Sequence, residues 1–289
     1  MRKFAKNTVY FLLYFITLSV LINLIFLVVI AKTDWGFSKR IESIRWEDPD
    51  YELLSLGTSL ADYGIDAQLL TEEGIKSYNL ALVGSSIKTC YIQLNEYLTK
   101  YDQCPRYVLL SVNGFLERFD QEGIQPIVEF TMKGQKIDFM DVPISKFQWQ
   151  TTELIKKAFS EEYRSGYTSY GQTRRRKVTP DFSDYKNNVI NVEEFESAYW
   201  IGEIAKLCNN NQIELFVIEI PTTKENQNLS EVGPYKLAFD NGHAANLYNL
   251  NSREFCQYID SKNDWSGLSH FNEVGAANFT RELLKIIRE

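Results

Sequence analysis

YELLSLGTS, residues 51–59, is a short apolar run stopped abruptly by Gly-Thr-Ser, and its reading decides the fold. Too short for a core helix and bounded by turn residues, it reads as a buried strand that opens into a tight turn. The pattern then repeats. SYNLALVG (77–84) is a second apolar run, and IKTCYIQLNEYLTKY (87–101) carries the three-four spacing of a helix. RYVLLSVNG (106–114) is the clearest buried strand. VEEFESAYWIGEIAKLC (192–208) reads as a helix, IELFVIEIP (213–221) as a strand, and EFCQYID (254–260) as a weaker strand. NEVGAANFTRELLKIIRE (272–289) closes the sequence as an amphipathic helix with Val274, Phe279, Leu283 and Ile286 on or near one stripe. Alternation of this kind implies right-handed crossovers and a parallel sheet covered on both faces, an α/β three-layer α/β/α sandwich of flavodoxin-like type. Between about residues 115 and 190 the rhythm breaks into a stretch rich in Tyr, Phe, Gln and charge, read as an insertion above the sheet.

Upstream, VYFLLYFITLSVLINLIFLVVI (9–30) runs without a charge and is long enough, at about 1.5 Å per residue, to cross a hydrocarbon core of about 30 Å. Bulky residues continue up to Ala31 and Lys32, which favours an uncleaved transmembrane helix over a signal peptide with small residues at its cut. The sequence therefore divides into a short tail (1–8), an anchor (9–30), a charged connector (31–50) and the α/β domain (51–289). Arg2, Lys3 and Lys6 precede the span while Lys32, Lys39, Arg40 and Arg45 follow it, so basic residues bias the orientation weakly. A net charge of −7 and a pI near 5.2 argue against a nucleic-acid partner, which would demand a basic face. Cys90, Cys104, Cys208 and Cys256 fall in no ligand spacing, so no metal is expected; Cys104 and Cys208, each ahead of a strand, are candidates for a disulfide.

In open parallel sheets ligands bind beyond the carboxyl ends of the strands. Ser59 follows the first strand, Gly84 the second and Asn113 the third, and His270 lies in the loop before the last helix, opening on the same edge. These residue types suit acyl transfer: a serine hydroxyl gains nucleophilicity when an imidazole takes its proton. The N–H groups of Ser59 and Gly84 and the amide of Asn113 are candidate donors to the oxyanion, each worth about 3 kcal/mol in the transition state. A bland reading stands beside this one, in which His270 caps or packs under the last helix, with Asn272 a competing cap, and Ser59, Gly84 and Asn113 merely shape turns.

LGTSLADYGID (56–66) resembles the first block of the SGNH (GDSL-like) hydrolases, Gly84 and Asn113 stand where the second and third blocks supply Gly and Asn, and SHFNEVGAANFTREL (269–283) resembles the histidine block. The similarity is greatest to membrane-anchored members related to the alginate and teichoic-acid O-acylation accessory proteins. It spans about residues 51–119 and 192–289. The resemblance implies a Ser59 nucleophile, a His270 base, no cofactor, and an extracytoplasmic domain that handles acyl, chiefly acetyl, groups of an acylated cell-envelope polysaccharide beside a membrane-bound O-acyltransferase. It equally admits a catalytically silent module that binds glycan or docks on that acyltransferase.

One departure separates these two readings. The family places an aspartate three residues before the histidine, and Gly267 stands there; Asp264 or Asp260 is left to orient the imidazole. Losing that carboxylate in a hydrolytic triad lowers the rate by about 10⁴. Arg174, Arg175, Arg176 and Lys177 form the dense positive cluster of the insertion, a solvated loop by default and otherwise a contact for an anionic substrate, headgroup or partner. His243, in DNGHAANLY, reads as a loop histidine.

Overall fold

In the computed structural model, residues 2–32, 50–101, 103–112, 170–174, 192–222, 231–259, 263–266 and 270–289 are described. Helix α1 (Arg2–Lys32) contains the apolar stretch; its segment Lys3–Ile22, with mean hydropathy 1.5, is long and apolar enough to cross a membrane, a property shared by signal sequences. The domain is a mixed α/β structure whose six-stranded, mostly parallel sheet is flanked by helices. Its strands are β1 (Leu53–Leu56), β2 (Ser77–Asn79), β3 (Tyr107–Ser111), β4 (Glu214–Glu219), β5 (Tyr235–Ala238) and β6 (Ala244–Asn249), in the spatial order β2-β1-β3-β4-β6-β5. All neighbours pair in parallel except β5 and β6, an antiparallel hairpin at one edge.

Alternation within the buried strands feeds two cores. Leu53, Leu109, Phe216 and Ile218 face α2 (Ser59–Gly64), α3 (Ala67–Glu72) and the last helix, whereas Leu54, Leu56, Val108, Leu110 and Val217 face α4 (Ile87–Lys100), α5 (Val192–Glu196) and α6 (Tyr199–Asn210). Because both sheet faces are covered, the central strands are buried along almost their whole length and read as mainly apolar runs. From β1 the chain first goes outward to β2 and then crosses back to β3, so the direction of winding switches between β1 and β3. That switch point is where the carboxyl ends of two strands diverge and leave a crevice.

Three sequence readings change. EFCQYID is no strand: Ser252 caps Phe255 and starts the short helix α7 (Arg253–Cys256), while the strand beside β4 is β6, reached through the Asn-Gly turn of the β5–β6 hairpin. The last helix, α8 (Glu273–Arg288), buries Ala276, Phe279, Leu283, Leu284 and Ile287 and leaves Val274 exposed, so its apolar stripe is rotated from the expected one. The expected Cys104–Cys208 disulfide is absent. Cys208 is buried on the sheet-facing side of α6, whereas Cys104 is exposed with its sulfur 3.8 Å from Asn211 Oδ1, and both are free thiols.

Candidate functional site

Ser59 is the first residue of α2, set there by a turn that only glycine fits. Gly57 has φ +147, and a Cβ on it would lie 2.9 Å from both Ala61 Cβ and Ser111 Cβ, so the chain can leave β1 for α2 this sharply only without a side chain. Thr58 caps the helix through Leu60 N–H, and Ser59, as its first residue, keeps an N–H with no intrahelical acceptor. Beneath the turn, Asn79 is fully buried; its Nδ2 donates to the carbonyls of Ala61 and Ile65, both at 2.9 Å, and its Oδ1 accepts from Ala81 N–H. One amide thereby holds both ends of α2 against β2.

The segment after β2 runs on beside the serine turn, with Leu80 N–H donating to Ser55 O and Leu82 N–H to Gly57 O. Gly84, exposed and at φ +69, sits in the turn that follows, closed by Ser85 N–H to Leu82 O. Below it, the buried thiol of Cys90 lies 3.8 Å from Ser85 Oγ, and burial pushes it up to about 12, so it is a neutral packing group.

His270 arrives from the opposite side. Its Nε2 lies 2.9 Å from Ser59 Oγ. The Tyr63 ring, one turn along α2, meets the imidazole edge-on with centroids 5.1 Å apart and an interplanar angle of 80°. Ser266 fixes the backbone: its N–H donates to His270 O at 2.9 Å and its hydroxyl to Phe271 O at 3.0 Å. The loop is anchored in the core by a stack of Trp265 on Phe271 (4.6 Å) and Phe271 on Phe279 (5.4 Å). Gly275 admits it, since a Cβ there would fall 2.1 Å from Asp264 O.

Asn272, not His270, is the cap of α8. Its Oδ1 accepts from Val274 and Gly275 N–H, and its Nδ2 donates to the carbonyls of Asn263 and Trp265. Asp264 is buried, and Asn278 Nδ2 lies 3.2–3.3 Å from both its carboxylate oxygens. Of the positive cluster, Arg174 is spent within the domain: Nη1 donates to Glu273 and Nη2 to Gln68. Asn113, Asp260, Gly267, Arg175, Arg176, Lys177 and most of the insertion lie outside the described residues. Among the described residues no cluster of His, Cys, Asp and Glu is arranged to hold a metal ion.

Chemically, a serine hydroxyl hydrogen-bonded to an imidazole at a strand-to-helix turn is an arrangement in which the ring nitrogen can take the hydroxyl proton. Asn79, Tyr63, Ser266 and Arg174 were not singled out in sequence for these positions; the one local signal was a polar Asn79 inside the apolar run SYNLALVG, which a buried position must satisfy.

No family model matches the chain, and no curated protein matches it. A solved structure from Streptococcus pneumonia, provisionally named a platelet activating factor, aligns over 93% of this chain and 98% of its own, at 9% identity and a TM-score of 0.41. At that TM-score the likeness bears no weight for function.

Proposed function

We propose that the domain is an SGNH-like esterase or O-acyltransferase that removes or transfers O-acyl groups, chiefly acetyl, of a cell-envelope polysaccharide. The observation that carries this reading is the 2.9 Å contact between Ser59 Oγ and His270 Nε2 at the switch point of the sheet. In the reaction, Ser59 Oγ bonds to the acyl carbon as its proton passes to Nε2, and the oxyanion accepts from the N–H groups of Ser59 and Gly84 and from the Asn113 amide. Collapse breaks the bond to the sugar oxygen, which takes the proton from the imidazolium; water or a second hydroxyl then takes the acyl group by the same steps in reverse. The apolar stretch 9–30 would anchor the domain in the membrane and hold it on the extracytoplasmic side, within reach of acylated polysaccharide and of a membrane-bound O-acyltransferase.

A second reading rests on Gly267, which stands where the family has its aspartate, and on the engagement of Asp264 by Asn278. In it the domain is a catalytically silent module that binds glycan or docks on the acyltransferase.

Hydrolysis of p-nitrophenyl acetate by the full chain in detergent separates the two. On the catalytic reading, Ser59→Ala abolishes the rate and His270→Ala lowers it by about 10²- to 10⁴-fold. A wild-type rate equal to that of both variants, with a fluorophosphonate failing to label Ser59, leaves the silent module.

A further inference from the structure

Within the insertion, residues 170–174 form a strap laid against the helix that carries Ser59. Asn79 N–H donates to Tyr170 O at 2.9 Å, and Thr173 N–H donates to Asp62 Oδ1 at 3.0 Å. The fit is tight: Gly171 has φ +88, and a Cβ on it would lie 2.1 Å from Asn79 O and 2.9 Å from the Tyr78 ring. The strap delivers Arg174 to the seam between the two halves of the site. Its Nη1 donates to Glu273 Oε1 at 2.9 Å, in the first turn of α8 and three residues past His270; its Nη2 donates to Gln68 Oε1 at 3.0 Å on α3 and lies 3.7 Å from Asp66 Oδ2. Asp66 caps α3 through Leu69 N–H, directly after the helix that begins with Ser59. Its N–H donates to Thr280 Oγ1 of α8 at 2.9 Å, so α8 is tied to this corner at a second point.

The serine and the histidine come from elements 211 residues apart, and a hydrogen bond between them survives only if α2 and α8 keep their spacing. Arg174, 31% exposed, ties the first turn of α8 to α3, which follows α2 directly. A planar guanidinium suits this task because its two nitrogens engage separate acceptors in a fixed fork, whereas one lysine ammonium presents a single point charge.

We infer that Arg174 is a positioning residue for the Ser59–His270 pair, acting as a strut from the insertion that holds the first turn of α8 against the cap of α3. This rests on the reading of Ser59 and His270 as the reacting pair, and its test separates the two ideas. The chain has two histidines, so modification of neutral imidazole by diethyl pyrocarbonate, mapped by mass spectrometry on the full chain in detergent, reports His270 with His243 as internal reference. With the strut removed in Arg174→Met, the Nε2 of His270 loses its cover by Ser59. The expected result is a rise in His270 modification of about 3- to 10-fold with His243 unchanged, a fall in kcat for p-nitrophenyl acetate of about 10-fold at constant KM, and partial restoration of both in Arg174→Lys. Ile204→Val, a core change on the opposite sheet face, lowers stability without moving the His270 rate. The strut is overturned if Arg174→Met modifies His270 at the wild-type rate, or if Ile204→Val accelerates it equally. Faster modification in a protein that cleaves no ester supports the strut and overturns the esterase reading; unchanged modification and kcat in an active esterase overturns the strut alone.

Discussion

Replacing Asn272 by alanine tests which residue holds the loop that presents His270. The side chain is almost fully buried and makes four hydrogen bonds: Oδ1 accepts from the N–H groups of Val274 and Gly275 at 2.9 and 3.0 Å, and Nδ2 donates to Asn263 O and Trp265 O at 2.6 and 3.2 Å. Loss of the cap costs about 1–2 kcal/mol. Loss of the donor leaves the Trp265 carbonyl, on a buried residue, unsatisfied for about another 1–2 kcal/mol, whereas Asn263 is exposed and its carbonyl turns to water. The sum is about 2–4 kcal/mol, or a fall in Tm of about 6–12 °C for a domain of this size. Asn272→Asp keeps the acceptor and adds a charge favourable at a helix N-terminus, so it forfeits only the donor part and loses about half as much. His270 is half-buried and caps nothing, so His270→Ala costs at most about 1 kcal/mol. Thermal unfolding of the three variants in detergent, followed by tryptophan fluorescence with Trp265 in the loop itself, measures all three losses. A His270→Ala loss as large as that of Asn272→Ala, with Asn272→Asp no milder, would refute the assignment of the cap and restore the bland reading of the histidine.

Two further outcomes follow from the same structure. Gly57→Ala forces a Cβ into the 2.9 Å contacts with Ala61 and Ser111 and destabilises by about 2–4 kcal/mol in urea titration, while Gly74→Ala, also at positive φ but with open space around it, loses only about 1–2 kcal/mol; equal losses would sink the turn argument. Cys90 and Cys208 are both pushed to about 12 by burial, so the native protein alkylates at Cys104 and spares these two, with or without reductant, and since an unfolded thiol ionises near 9, stability is fully present below that pH and falls by about 1 kcal/mol per pH unit per thiol above it; a Tm flat from pH 9 to 11 would contradict this.

What was legible in the sequence follows the physics of each element. Strands β1, β3 and β4 lie under helices on both faces, so their code is a mainly apolar run that survives without context. The β5–β6 hairpin escaped because burial alternates along β6 while residue type does not: in AANLYN the buried positions are Ala245, Leu247 and Asn249. Its Asn-Gly turn within DNGH was the available signal. EFCQYID misled for the opposite reason, since its alternation belongs to a single helical turn fixed by the Ser252 cap. Ser59 and His270 were legible as candidates because residue type and position after a strand are local facts. Asn79 and Tyr63 were not, because each acts through a partner at a sequence distance that no periodicity encodes, 207 residues in the case of Tyr63 and His270, and Arg174 was legible only as part of a charge cluster.

On the proposed mechanism, orientation and charge are two separate demands on the base. In a hydrolytic triad the carboxylate does two things: it fixes the tautomer and plane of the imidazole, and it stabilises the imidazolium that forms. Three contacts bear on the placement of His270: the edge of Tyr63, the Ser266 N–H on its carbonyl and the aromatic stack that anchors its loop. Those contacts are apolar or made by the backbone, and none of them carries charge. They position the loop that puts Nε2 on Ser59 Oγ in the ground state, and they bring no charge of their own to the imidazolium. On the proposed mechanism these contacts therefore serve geometry, the first of the carboxylate's two tasks.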